Sequence, residues 1–166
     1  RVLFRSVIVV FFERKEPVIE DVMMYLKKSF PEITSLMYVV NEKQNDSIHD
    51  QEVKLYHGND HITEELDHLR FLIGPKSFFQ TNPQQAVRLY RKAREFAKLE
   101  GGEVIYDLYC GTGTISCFVA EGAKLVLGVE YVADAIADAE KNAALNHISN
   151  VRDRKSTRLN SSHVSE

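Results

Sequence analysis

The segment of residues 104–130 constrains the fold more than any other part of the chain. Residues 104–109 have strand composition, CGTGT at residues 110–114 predicts a tight loop, residues 115–121 predict a helix, and residues 125–130 predict a second strand. A βαβ unit of this kind makes its two strands parallel neighbours. Gly111 and Gly113 allow the backbone to turn sharply and let a ligand approach without a Cβ in the way. We therefore expect an α/β fold with a ligand at this loop.

Two carboxylates and one missing glycine bear on which ligand the loop binds. The dinucleotide fingerprint is G-x-G-x-x-G, and Ser116 stands at its third glycine. Asp107 precedes the glycines as D-x-x-x-G-x-G, and Glu130 ends the second strand, where its carboxylate can accept hydrogen bonds from both ribose hydroxyls. S-adenosylmethionine has no pyrophosphate, and its sulfonium cation tolerates nearby carboxylates. The pattern favours S-adenosylmethionine, and a nicotinamide cofactor or a merely solvated Glu130 stays open as an alternative.

Hydrophobic patterning divides the body of the chain into two domains. Residues 7–12 and 33–40 predict strands on either side of an amphipathic helix, and shorter strands are predicted at residues 53–56, 62–66 and 70–73. These elements predict a small α/β domain over residues 7–74.

The second domain, residues 75–151, begins with a helix that Asn82 and Pro83 start. Its predicted apolar face consists of Ala86, Leu89, Tyr90, Ala93, Phe96 and Ala97. A later helix over residues 132–146 would cover the sheet. A third parallel strand should follow that helix, but the sequence does not predict one.

Both ends of the chain differ in composition from the body. Residues 152–166 are polar and serine-rich with no period of 2 or 3.6, so we expect them not to pack. The string resembles translated cloning or adapter sequence, and residues 1–6 do so as well. We therefore expect residues 1–6 to be a non-native leader and residues 152–166 a non-native tail, with a natural disordered tail as the alternative.

The charge of the body limits how it could hold a nucleic acid. The chain carries a net charge of −3. Arg1 and Arg5 contribute two positive charges and residues 152–166 a net two more, which leaves −7 for residues 7–151. Affinity for nucleic acid depends on Lys and Arg neutralising phosphates, so this body cannot hold RNA by charge alone. If RNA is the substrate, most of the contacts that bind it must come from outside this segment.

The apolar and cysteine content indicates a cytoplasmic protein without a membrane span. The longest apolar stretch, residues 7–12, is far too short to cross a bilayer, and charged residues follow it where a signal peptide would have a cleavage site. Cys110 and Cys117 are spaced for neither a disulfide framework nor a metal or redox pair. We expect two buried, reduced thiols and no metal.

Four motifs resemble those of bacterial RNA uracil-C5 methyltransferases, particularly the 23S ribosomal RNA branch. They are SFFQTN at residues 77–82, DLYCGTGTIS at 107–116, VLGVE at 126–130 and EKNAALN at 140–146. The SFFQTN motif is the most specific, because many methyltransferases share the glycine loop but few share this motif. The resemblance covers residues 7–151 and implies a partial Rossmann-like class I S-adenosylmethionine-dependent methyltransferase sheet, preceded by the small α/β domain.

The resemblance also implies roles for individual residues. Glu130 would bind the ribose of S-adenosylmethionine, and Gln80 and Tyr109 would contact the donor. Phe78 would face the target base or the donor. The donor site that we expect consists of Gln80, Asp107, Tyr109, Gly111, Gly113, Thr114 and Glu130.

The chemistry of that family implies that this chain is a fragment. A cysteine adds to uracil C6, the methyl group passes to C5, and a base removes the C5 proton. The family places the cysteine and the base after later strands, and neither motif is in this sequence; Cys110 would compete with the cofactor for space. We expect intact homologues to methylate 23S rRNA and this chain alone to be inactive. The alternatives are a tRNA or small-molecule acceptor and a non-catalytic RNA-binding module.

Overall fold

The computed structural model describes residues 6–43, 47–48 and 50–155, with only the backbone of the last two. They form two compact units. The first comprises the residues up to Thr63 together with Ile73–Lys76, and the second comprises Glu64–Leu72 and the chain from Ser77 onward. Most of the predicted leader, residues 1–5, and residues 156–166 of the predicted tail lie outside the described residues.

The first unit is a three-stranded sheet with one helix against it. Its elements are β1 (Ser6–Phe11), α1 (Glu16–Ser29), β2 (Ser35–Val40) and β3 (Lys54–Gly58). β1 and β2 are parallel and β2 and β3 antiparallel. Ile19 and Met23 of α1 are buried with Leu36 of β2. Ser6, which we expected in a non-native leader, pairs with Ser35 as the first residue of β1.

Two short strands, β4 (Ile62–Leu66) and β5 (Leu69–Ile73), form a two-stranded sheet. Their apolar side chains Leu66, Leu69 and Phe71 lie in the core of the second unit, together with Phe118. The sequence-based boundary at residue 74 assigned both strands to the first domain. A short alternating pattern predicts a strand but does not say which core the strand covers, so the packing decides the assignment.

The second unit contains a three-stranded parallel sheet and its helices. They are α2 (Pro83–Ala97), β6 (Val104–Leu108), α3 (Thr114–Ala120), β7 (Leu125–Glu130), α4 (Ala133–Leu145) and β8 (Val151–Lys155). The strand order is β6-β7-β8. β6 and β7 are parallel with Val104 opposite Leu125, which confirms the predicted βαβ unit.

The prediction that no third strand follows α4 is wrong. β8 pairs parallel with β7, with Val126 opposite Val151, and it includes residues 152–155 of the predicted tail. Val151 is its only apolar residue and is buried. Backbone hydrogen bonds do not depend on side-chain type, and a strand at the edge of a sheet tolerates charged side chains. The polar sequence therefore concealed a strand that backbone pairing and one buried valine support.

The start of α2 follows the prediction, but its apolar face does not. The Asn82 side chain accepts a hydrogen bond from the backbone N–H of Gln85 at 3.1 Å, as an N-cap should. Ala86 and Tyr90 are buried, whereas Leu89 and Phe96 are exposed, because only a narrow stripe of the helix faces the core. Within the described part of the chain, no helix has the length and apolar composition to cross a membrane.

Candidate cofactor site

The glycine loop joins β6 to α3 at the carboxyl edge of the parallel sheet, where ligands of open α/β sheets bind. Gly111 has φ +56° and Gly113 has φ +74°, a region that L-residues rarely adopt. A Cβ on Gly113 would lie 2.9 Å from the Cβ of Ala139 in α4, whereas a Cβ on Gly111 would meet no atom within 4 Å. Gly113 is therefore required for packing, and Gly111 borders open space.

Tyr109 begins the loop in an unusual conformation. Its φ is +63° and its residue surface is 81% exposed. The backbone N–H of Tyr109 donates to the carbonyl of Val129 in β7 at 2.8 Å, which holds the strained conformation in place. Such strain in a non-glycine residue costs about 1–3 kcal/mol and is typical of functional sites. The loop thus presents an exposed aromatic ring at the edge of the sheet.

Glu130 connects the end of β7 to the loop. Its carboxylate accepts three backbone hydrogen bonds, from Gly111 at 3.1 Å, Tyr131 at 2.8 Å and Val132 at 3.0 Å. The residue is 6% exposed. A carboxylate has about four acceptor positions, so roughly one stays available to a ligand. The contact with Gly111 brings together two parts of the site that the sequence predicts.

Asp107 and Ser116 form a buried pair between β6 and α3. The Ser116 hydroxyl donates to Asp107 Oδ2 at 2.7 Å, and Ser116 is fully buried. Burial raises the pKa of the Asp107 carboxyl above its ordinary value, and the hydrogen bond from Ser116 partly opposes that shift. The serine that interrupts the dinucleotide fingerprint is therefore the partner of the acid that precedes the glycines. Asp107 holds α3 against the sheet.

The SFFQTN segment is anchored at two points. The Ser77 hydroxyl donates to Asp138 of α4 at 2.8 Å. The Phe79 ring packs beside the Phe71 ring, with centroids 6.3 Å apart. Phe78, 77% exposed, and Gln80, also exposed, are the alternate residues that these anchors leave at the surface.

One helix brings this segment and the glycine loop together. Asp138, which binds Ser77, is adjacent in α4 to Ala139, which packs against Gly113. Thr114 is buried, with its hydroxyl 3.2 Å from that of Thr112. The geometry therefore places the loop, Glu130 and the SFFQTN segment around α4.

Asn142 of α4 contacts the glycine loop, and no role was assigned to it from the sequence. Its side-chain amide donates to the carbonyl of Thr112 at 3.0 Å. A signal was present in the sequence, because Asn142 lies between Ala139 and Ala143 on the predicted apolar face of the helix. A polar side chain on such a face is expected to have buried hydrogen-bond partners.

The two cysteines are buried free thiols, as predicted. Burial, followed by the charges of Asp153 and Asp107, raises the pKa of Cys110 and of Cys117 to about 12. A thiol of that pKa is protonated at neutral pH and is a poor nucleophile. Among the described residues, no group of three or more His, Cys, Asp or Glu side chains is placed to bind a metal ion.

A separate open cavity of about 780 Å³ lies beside α2, lined by charged residues that include Asp67, Arg91, Arg94 and Glu121. Arg91 pairs with Asp67 at 2.7 Å and Arg94 with Glu121 at 2.8 Å. These charges already have partners, and no residue of the glycine loop lines the cavity. The cavity therefore gives no support for a ligand site of its own.

Comparison with known proteins identifies relatives of the chain. The family model described as tRNA (uracil-5-)-methyltransferase matches residues 25–166. An uncharacterized RNA methyltransferase of Porphyromonas gingivalis is 56% identical over 144 residues, which cover 87% of this chain and 31% of that protein. A second, of Bacteroides thetaiotaomicron, is 53% identical over 131 residues, covering 79% and 29%. The chain thus spans less than a third of the length of these relatives.

Two solved structures resemble the chain. The tRNA (uracil-54, C5)-methyltransferase of Pyrococcus abyssi, in complex with S-adenosyl-L-homocysteine, is 33% identical with a TM-score of 0.66 and covers 79% of this chain and 32% of its own. The tRNA m1G37 methyltransferase of M. jannaschii is 17% identical with a TM-score of 0.60, covering 94% and 45%. The second likeness concerns the fold alone. The predicted partial Rossmann-like sheet is confirmed.

Proposed function

The chain belongs to the tRNA (uracil-5-)-methyltransferase family, and we propose that its second unit binds S-adenosylmethionine for methyl transfer to C5 of uracil in RNA. The observation that carries the proposal is the buried Glu130 carboxylate, which accepts the Gly111 N–H at 3.1 Å at the carboxyl edge of the sheet. This bond joins the acid and the glycine loop into one site. The relatives are about three times longer than this chain. A protein of that length would perform the transfer.

The donor would bind in the open space at Gly111. A free acceptor position on Glu130 would take a ribose hydroxyl, and the exposed ring of Tyr109 would lie beside the donor. Thr114 and Gly113 would shape the wall of the pocket behind the loop, and Asp107 would support it through Ser116.

The SFFQTN segment would complete the site from the side of α4. Gln80 would contact the donor, and Phe78 would stack on the target base or face the donor, since both side chains are exposed while Ser77 and Phe79 anchor the backbone. An aromatic ring at the surface suits a base that has left its stack.

Charge favours a cationic donor over a dinucleotide. Asp107 and Glu130 flank the loop, and neither has a described Lys or Arg partner in an ion pair within 4 Å. A sulfonium is attracted to such a site, whereas a pyrophosphate is repelled. S-adenosylmethionine would supply the methyl group. The protonated thiols of Cys110 and Cys117 are unsuited to attack uracil C6, so a nucleophile outside the described residues would be needed.

We propose 23S ribosomal RNA as the acceptor, in the cytoplasm, on the basis of the four motifs. A tRNA acceptor is the second candidate, favoured by the 33% identity to the P. abyssi tRNA (uracil-54, C5)-methyltransferase. Methyl transfer by the intact P. gingivalis relative, measured with radiolabelled donor on 23S rRNA fragments and on tRNA, separates the two. Labelling of tRNA alone would exclude the ribosomal acceptor.

Calorimetric titration of the chain tests donor binding directly. We expect binding of S-adenosylhomocysteine and none of NADH. Glu130→Gln keeps the side-chain size but turns an NH₂ group toward backbone N–H donors, so it should weaken binding at least about tenfold. Glu65→Gln, an exposed change on β4, is the matched control and should leave the affinity unchanged. Binding of NADH, or an unaffected Glu130→Gln variant, would overturn the proposal.

A further inference from the structure

We propose that Asn142 is a positioning residue, whose side-chain amide sets the orientation of the glycine loop and ties it to β5. Asn142 is fully buried in α4. Its Oδ1 accepts the backbone N–H of Leu72 at 2.8 Å, and its Nδ2 donates to the carbonyls of Leu72 at 3.3 Å and Thr112 at 3.0 Å. A single amide therefore connects the helix, the strand and the loop.

Asn146, one turn later, makes the same kind of contact with β5 but does not touch the loop. Its Oδ1 accepts the N–H of Arg70 at 2.9 Å, and its Nδ2 donates to the carbonyl of Arg70 at 2.7 Å. Four residues of helix rise about 6 Å and two residues of strand about 6.6 Å, so the two amides match alternate residues of β5. They substitute for a neighbouring strand along this stretch of β5.

The contact with Thr112 is one of three that together fix a single peptide group of the loop. The carbonyl of Thr112 and the N–H of Gly113 belong to one planar peptide unit, which lies between two glycines with positive φ. Asn142 holds the carbonyl end, while the Gly113 N–H donates to the carbonyl of Cys110 at 2.9 Å. The packing of Gly113 on Ala139 fixes the same unit from α4.

This role has a consequence for the donor, and that consequence rests on the proposed function. If the loop binds S-adenosylmethionine, its backbone must keep one orientation to receive the ligand. Asn142 prepares that orientation before binding, without touching the donor itself. Removing the side-chain N–H groups of Asn142 should therefore weaken the binding of S-adenosylmethionine. The loss should exceed that caused by breaking the contacts with β5 alone.

Asn142→Asp and Asn146→Asp make the same chemical change at a fully buried and a partly buried position, and together they test the proposal. Each change keeps an oxygen for the β5 N–H and replaces the amide donor by a second oxygen, but only Asn142→Asp removes the bond to Thr112. In the chain without ligand, the amides of Gly111 and Gly113 should exchange about tenfold faster in Asn142→Asp and less than about twofold faster in Asn146→Asp. Equal effects of the two changes would contradict a specific role in the loop.

Donor affinity supplies the second readout. We expect the dissociation constant of S-adenosylhomocysteine to rise about tenfold in Asn142→Asp and less than about twofold in Asn146→Asp. If the unchanged chain fails to bind the ligand, the proposed function fails, and the exchange experiment still decides whether Asn142 positions the loop. Unchanged affinity in Asn142→Asp, alongside binding by the unchanged chain, would overturn the inference alone.

A measurement on the unchanged chain covers the case in which Asn142→Asp does not fold. The side-chain amide protons of Asn142 should exchange slowly, since both are hydrogen-bonded in a fully buried group. Their NMR signals should shift when S-adenosylhomocysteine is added, and those of Asn150, whose side chain binds Ala120 and Ala123, should not. Fast exchange of the Asn142 signals would refute the described contacts.

Discussion

Replacing Gly113 with alanine should destabilise the second unit more than the same replacement at Gly111. The new Cβ at Gly113 would lie 2.9 Å from the Cβ of Ala139 and 3.3 Å from its Cα. Positive φ costs alanine about 1 kcal/mol at either position. The overlap with Ala139 adds about 1–3 kcal/mol, the usual cost of overpacking. We expect the free energy of unfolding to fall by about 2–4 kcal/mol for Gly113→Ala and about 1 kcal/mol for Gly111→Ala.

Urea denaturation, followed by NMR signals of the second unit, measures this difference. Alanine also reduces the conformational entropy of the unfolded chain, but this effect is shared by both variants and cancels in the comparison. A natural stability of about 5–15 kcal/mol makes the expected gap easy to resolve. If the two variants lose the same stability, the close packing of the loop on α4 is wrong.

Two further predictions concern Tyr109 and the cysteines. Tyr109→Gly relieves the strain of positive φ, so the free energy of unfolding should change by no more than about 1 kcal/mol. The affinity for S-adenosylhomocysteine should fall at least about tenfold. A large loss of stability would show that Tyr109 is not strained. Cys110 and Cys117 should resist thiol reagents at pH 8 in the folded chain and react after unfolding in urea, and rapid labelling of the folded chain would contradict their burial. Because their folded pKa of about 12 exceeds the ordinary 9.0, the stability that they contribute is complete below pH 9.0 and is lost as the pH rises toward about 12, which urea midpoints across that range would show.

Local patterns predicted the positions of the glycine loop and of Glu130. The glycine loop lies between β6 and α3, and Glu130 ends β7 beside it, because a βαβ unit fixes both positions from sequence alone. The N-cap at Asn82 was also predictable from sequence, because its hydrogen bond spans only three residues.

Features that depend on distant partners were not predictable. β8 has one apolar residue, and its pairing with β7 comes from backbone bonds that no side-chain pattern reports. β5 up to Leu72 belongs to the second unit, where it is bound by Asn142 and Asn146, about seventy residues later in the chain. The sequence shows that Ser116 replaces the third glycine of the dinucleotide fingerprint, but it does not show that the serine hydroxyl binds Asp107.

We propose that the loop, Glu130 and their neighbours form a methyl-donor site. An NMR titration of the isotopically labelled chain with S-adenosylhomocysteine is the decisive test of this proposal. We expect saturable shifts of the Gly111 and Tyr131 amides, which donate to the Glu130 carboxylate, and of the Gly113 amide in the same loop, with amides of β1 unmoved. Saturable binding that shifts residues of the first unit or of the α2 cavity, and leaves the loop amides in place, would contradict it.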